Sequence, residues 1–301
     1  MTGLEGAALG AAAKGVSVAG RALSGSKAEQ AALLEEIRQT PGFRAAANAK
    51  GERLAMRELW INKLMAPLFK MVGRRADYFG ENGEFVEDLA NVLADVPDEE
   101  LVSPAPIVAA QAIEGLAYSL DEPDLKQMYL NLLASASTAK RASIAHPAYA
   151  SIIQQLSAEE APHLARMFDD SQGRPLAEIR LDRGAGQFVT LVRHVADLRD
   201  AKTDEPIEVE GWAAFVENWV RLGLGTVSYD TYRIAQTAYD YVHHRPEYQQ
   251  FERGYAQVGL PEGQELTFAK GLFIPTMFGI RFRGAAMPSR GDHTSVTMPI
   301  D

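Results

Sequence analysis

Six histidines are the first place to look for chemistry: His146, His163, His194, His243, His244 and His293. A metal held on helices asks for histidines or carboxylates three or four residues apart. No two of these histidines have that spacing, and H-E-x-x-H is absent. His243 and His244 are adjacent, so on a helix they point in different directions and read as a solvated helix end. His146 precedes Pro147 and is expected to serve that turn. The chain has no Cys, which excludes disulfides, Cys-ligated zinc, iron–sulfur clusters and thiol nucleophiles. Neither G-x-S-x-G nor the phosphate-loop pattern G-x-x-x-x-G-K-[ST] occurs. Gly184-Ala-Gly186 is too short to cradle a dinucleotide. The expectation is a protein without catalytic, cofactor-binding or metal-binding residues, and so not an enzyme.

Charge is the second signal. The chain has 301 residues, 47% of them hydrophobic, with 30 Lys+Arg against 40 Asp+Glu and a net charge of −10. That is enough apolar sequence to bury a core, which rules out wholesale disorder. The acidic total argues against a general nucleic-acid coat. The charges are segregated. Between 41 and 80 the bases are Arg44, Lys50, Arg53, Arg57, Lys63, Lys70, Arg74 and Arg75, against Glu52, Glu58 and Asp77. From 81 to 125 there is no Lys or Arg, but many acids, among them Glu114 and Asp121. Two accounts stay open. The blocks attract each other within the fold or across an oligomer. Alternatively the basic amphipathic stretch with Arg53, Arg57, Trp60, Lys63, Lys70, Arg74 and Arg75 lies on anionic lipid or nucleic acid. The acids themselves read as a solvated face, with Glu114 and Asp121 flanking buried helical surface.

The elements that would position these groups are mostly helical. Residues 1–26 are Gly/Ala-rich and read as a flexible tail, or as a glycine-rich helix that packs only in an oligomer. Glu5 sits where a secretory signal needs positive charge, and Lys14 and Arg21 interrupt any membrane span. Helical spacing recurs over 27–38 and roughly 50–79. Pro104 and Pro106 suit a helix start, followed by Ala109, Ala110, Ile113, Leu116, Ala117 and Leu120 on one face. Pro123 opens the next helix, where Leu125, Met128, Tyr129, Leu132, Leu133 and Ala136 form a complete amphipathic series. His146-Pro147 opens a third, with Tyr149, Ile152, Ile153 and Leu156 inward. Such helices are expected to form an antiparallel bundle.

After Ser157-Ala-Glu-Glu160, a capping-box pattern into which Pro162 intrudes, the texture changes. Leu176, Ile179 and Leu181 alternate as in a strand. Phe188, Leu191, Val192 and Val195 read as a helix. Trp212, Phe215, Val216, Trp219 and Val220 form another, stopped by Gly223. Leu224 to Tyr229 reads as a strand, and Tyr232, Ala235, Tyr239 and Val242 as a helix. A β-prone stretch at 264–274 leads to Thr276, the expected N-cap of 277–286. The fold class expected is mainly α, with N-terminal helices and a central antiparallel helical bundle followed by a smaller winged-helix-like α+β module. The boundaries expected are a tail at 1–26, a helical domain at 27–156, the module at 157–287 and a disordered tail at 288–301. The aromatics of 212–255 could stack bases, but core packing and a hydrogen-bonded tyrosine network account for them as well.

One stretch resembles a known family. Val102-Ser-Pro-Ala-Pro106, Ala112-Ile-Glu-Gly-Leu-Ala-Tyr118, Asp121-Glu-Pro-Asp-Leu125, Met128-Tyr-Leu-Asn-Leu-Leu-Ala134, His146-Pro147 and Ile152-Ile-Gln-Gln-Leu-Ser157 look like the Abi-alpha (abortive infection alpha) family. The motif positions carried over are Glu114, Tyr118, Asp121, Tyr129, Asn131, His146 and Pro147. Weaker similarity reaches Leu64-Met-Ala-Pro-Leu68 upstream, and Trp219-Val-Arg-Leu-Gly-Leu224 and Thr276-Met-Phe-Gly279 downstream. The resemblance implies a bacterial role in abortive infection, a defence that halts phage growth at the host's expense; it supplies no catalytic residues.

The function expected is non-enzymatic anti-phage defence by binding a phage or host component, in the cytoplasm. The alternatives are a membrane-active effector, peripheral at the inner membrane, and a winged-helix DNA binder. A protein partner or self-association is expected, an anionic membrane surface is the next candidate, and nucleic acid ranks last. No cofactor is implied.

Overall fold

A computed structural model describes residues 76–80, 83–168, 172–200 and 202–287. The tails at 1–26 and 288–301, the helices expected over 27–38 and most of 50–79, and all of Arg53, Arg57, Trp60, Lys63, Lys70, Arg74 and Arg75 lie outside these residues.

The helical half begins with α1 (Ala76–Phe79) and α2 (Phe85–Val92). Two longer helices follow, α3 (Pro106–Tyr118) and α4 (Pro123–Ala136). Each carries its proline in the first turn, where the missing N–H leaves no helical bond unmade. On α4, Leu125, Met128, Tyr129, Leu132, Leu133 and Ala136 are all buried, as their spacing requires. Each fully buried Leu contributes about 1.5–3 kcal/mol. α3 can lie close to α4 because Gly115 faces Tyr129; a Cβ there would overlap the phenol ring. The Tyr129 hydroxyl donates to the Ala150 carbonyl at 3.1 Å, tying α4 to α5 (Ala148–Gln154). Two acids of the 81–125 block pair with lysines that follow it: Asp88 with Lys126 at 2.7 Å, and Glu100 with Lys140.

The capping box at Ser157 is present, with a bond in each direction. Ser157 Oγ accepts from the Glu160 N–H at 3.1 Å, and Glu160 Oε1 accepts from the Ser157 N–H at 2.7 Å. The helix that follows, α6, spans Ala161–Met167, so Pro162 falls in its first turn. The buried Glu160 carboxylate also accepts from Asn218 Nδ2 at 3.0 Å, on α7 (Trp212–Arg221).

Four antiparallel strands make one sheet: β1 (Arg174–Asp182), β2 (Phe188–Val195), β3 (Gly225–Ser228) and β4 (Glu265–Pro275), in the order β2-β1-β4-β3. β1 and β4 pair along their full common length, from Arg174↔Phe273 to Asp182↔Glu265. Ala177 and Ile179 on one face of β1 pack with Val195, Tyr239, Tyr241, Val242 and Tyr248. These tyrosines come from a 3-10 helix (Gln236–His244) and from α8 (Pro246–Val258). On the other face Phe273 meets Trp219 of α7 and Phe168. The last helix, α9 (Met277–Ala286), is capped as expected: Thr276 Oγ1 accepts from the Gly279 N–H at 2.9 Å.

This sheet corrects the fold class. The chain is an α/β protein, not a mainly α one, and its C-terminal half is not a winged-helix-like module. The segment containing Phe188, Leu191, Val192 and Val195 is a strand, not a helix. Two irregularities in its pairing with β1 shift the register between Ala177 and Ile179 and between Ile179 and Arg180. Each inserted residue breaks the strand's alternation of two, and the broken pattern falls by chance on helical spacing. The helix at 246–258 is not among the expected elements; its apolar face is narrow, and Tyr248 is its one buried residue.

Candidate functional site

The sheet irregularities gather the charged side chains of the strands into one cluster. Alternation along β1 puts Glu178 and Arg180 on the face opposite Ala177 and Ile179. Ile179 pairs with Val192 and Ala177 with Val195, so Glu178 stands opposite two residues, Arg193 and His194. A bulge of this kind re-aims side chains, and here it brings both toward one carboxylate.

Glu178 is only 5% exposed. A buried carboxylate needs donors, because its lost hydration is otherwise uncompensated. Oε1 accepts from Arg180 Nε at 2.7 Å and from Thr190 Oγ1 at 2.8 Å. Arg193 Nε lies 3.8 Å from Oε2, within charge attraction but beyond a hydrogen bond. The Arg180 guanidinium in turn covers the Phe188 ring at 3.9 Å.

His194 has φ +59, a left-handed backbone uncommon for a residue with a Cβ. Such a conformation costs of order 1–3 kcal/mol and persists where neighbours over-determine it. They do here. The His194 carbonyl accepts from Trp212 Nε1 at 2.6 Å, and its N–H donates to the Tyr229 hydroxyl at 3.1 Å. Tyr229 also sits 3.0 Å from Nδ1, and the two rings stack with an interplanar angle of 14°. With the phenol donating its proton to Nδ1, every group in this contact is paired. That bonding assigns the remaining ring proton to Nε2, which faces Glu217 Oε1 on α7 at 3.9 Å. Gly271 on β4 makes room for Tyr229; a Cβ there would lie 2.5 Å from ring carbon Cδ1.

Burial lowers the His194 pKa, which holds the imidazole neutral; Glu217 and Glu178 oppose this and Arg193 reinforces it. Burial likewise pushes the Tyr229 hydroxyl up to about 12. The site therefore presents a neutral imidazole, an un-ionised phenol, and one carboxylate between two guanidinium groups. Among the described residues no group of three or more His, Cys, Asp or Glu could hold a metal.

The family-motif residues lie elsewhere and are not drawn into one cluster. Glu114 and Tyr118 are exposed on α3, and Asp121 is exposed in the turn after it. Tyr129 is interior. Asn131 Nδ2 donates to the Ala286 carbonyl, and the neighbouring Ser135 Oγ to the Ala285 carbonyl at 2.8 Å. Arg141 reaches the Gly284 carbonyl. His146 Nδ1 accepts from the Ala148 N–H at 3.1 Å, serving the Pro147 turn as expected, and its ring meets Tyr149 and Phe278. Asn131, His146 and their neighbours thus hold the last helix. His243 and His244 are exposed at the end of the 3-10 helix. The tyrosine network is present: Tyr239 donates to the Gly271 carbonyl at 2.8 Å and Tyr241 to the Val195 carbonyl at 2.9 Å.

Sequence reasoning missed the Glu178 cluster. Its signal was the polar interruption of two apolar strands, Leu176-Ala-Glu-Ile-Arg-Leu181 and Phe188-Val-Thr-Leu-Val-Arg-His194. In the second, two bulges put the apolar residues at helical spacing.

No helix among the described residues is long and apolar enough to cross a membrane. The family model described as abortive infection alpha matches residues 81–286, which take in both the motif helices and the whole sheet. No curated protein and no solved structure matches the chain.

Proposed function

The chain belongs to the abortive infection alpha family, and on that premise we propose that it acts in defence against phage by binding a phage or host component. The observation that carries the binding reading is the Glu178 cluster on the sheet. Most of its polar atoms are held by one another. Glu178 Oε1 is taken up by Arg180 and Thr190, and His194 Nδ1 by Tyr229. What the cluster offers outward is donors and charge, with Arg193 exposed on its rim. That is the character of a recognition surface.

The test is phage challenge of a susceptible bacterium expressing the chain. Survival of the culture at low phage dose, with collapse at high dose, is the expected signature. Unchanged plating and unchanged culture growth across a broad phage panel would contradict the proposal.

A further inference from the structure

The Glu178 cluster contains more guanidinium than its own carboxylate uses. Arg180 and Arg193 both approach Glu178, one at each carboxylate oxygen. The other acids nearby are committed or turned aside. Asp182 Oδ1 accepts the Gly184 N–H at 2.7 Å in the hairpin turn, and Glu217 on α7 faces His194. Among the described residues the terminal nitrogens of Arg180 and Arg193 make no hydrogen bond. Arg180 is held in place on two sides, by Glu178 at Nε and by the Phe188 ring beneath its plane. A guanidinium fixed in this way keeps its outer fork aimed at little entropic cost. Arg193 stands beside it with 59% of its side chain exposed.

We propose that Arg180 and Arg193 together bind a phosphoryl group. Two guanidinium groups from neighbouring strands stand at the two oxygens of one carboxylate, and a tetrahedral dianion has enough oxygens to engage both of their outer forks. A carboxylate carries half the charge of that dianion and one oxygen fewer, so it is held less tightly by two guanidinium groups. This assignment rests on the reading that the sheet face binds a partner, and it names the group on that partner.

The test is titration of the full chain with inorganic phosphate, at ionic strength held constant with chloride. The arginine Nε–Hε resonances are followed by NMR. Saturable shifts are expected at Arg180 and Arg193. Arg193→Gln, at an exposed position that makes no hydrogen bond to Glu178, is expected to weaken binding about tenfold or more, with an unchanged urea midpoint showing that the fold is intact. Arg180→Lys keeps the charge but loses the fork, and is expected to weaken it as well. A mononucleotide and a short oligonucleotide, titrated in the same way, show whether the phosphoryl group is carried by a small molecule or a strand; tighter binding of either supports the site. Absence of saturable shifts, equal affinity of Arg193→Gln, or acetate binding as tightly as phosphate would overturn the assignment. Such a failure leaves phage protection untouched, so the two claims fall separately.

Discussion

The side chain of Asn131 donates a hydrogen bond to the carbonyl of Ala286, 155 residues further along the chain, at 3.0 Å. Carbonyls in the last turn of a helix have no intrahelical partner. Asn131, Ser135 and Arg141 supply three donors to the last turn of α9. Asn131→Ala is therefore expected to cost about 1–2 kcal/mol. Amides of α9 should exchange with deuterium faster in the variant than those of α4. Equal protection of α9 in both proteins would contradict this role.

Arg245 is 1% exposed and is held by Glu247 through both Nε and Nη2, at 3.0 and 2.7 Å. Its Nη1 donates to the Leu198 carbonyl at 2.7 Å, pinning the segment after β2. Removing one partner of a buried pair leaves a charge without compensation, at a cost of about 3–5 kcal/mol. Glu247→Gln should lower the urea midpoint by the corresponding amount, with little change in the slope of the transition. A midpoint equal to that of the parent would show that the pair contributes nothing.

His194 and His163 are both shifted below their ordinary pKa, chiefly by burial. Below about pH 6.5 the unfolded chain takes up protons that the folded chain refuses. Stability must then fall as pH drops through that value, by at most about 1.4 kcal/mol per pH unit for each histidine. His194→Asn, which tolerates the left-handed backbone, should flatten the dependence between pH 7 and 5. An unchanged slope would mean that His194 protonates freely in the folded state.

How much of this was legible in the sequence depended on whether periodicity survived folding. The α4 series and the Thr276 cap were readable because helical spacing and a cap residue are local signals. So was the Ser157 box, although its link to Asn218 was not. β2 is not legible as a strand because two inserted residues destroy its alternation, and the insertion opposite Glu178 creates the site by setting Arg193 and His194 against that carboxylate. Tyr229 and Gly271 join that cluster through strand pairing, which spacing along the chain does not encode. The basic residues from Arg53 to Arg75, the surface most apparent in the sequence, fall outside the described residues.

Gly271 gives a direct check of the cluster's packing. Gly271→Ala would set a Cβ 2.5 Å from the Tyr229 ring and 2.6 Å from the Ser228 carbonyl oxygen. Displacing Tyr229 would release both bonds that it makes to His194. A loss of about 1–3 kcal/mol is expected in thermal unfolding. Full retention of stability would show that Tyr229 is not fixed over β4.

The proposed protection against phage runs through the charged face of the sheet. It is tested most directly by comparing phage plating on cells expressing the parent chain and cells expressing Arg193→Gln, with protein levels matched. The parent is expected to lower plating, and Arg193→Gln to restore it to about the level of cells without the protein. Full protection by Arg193→Gln would contradict it.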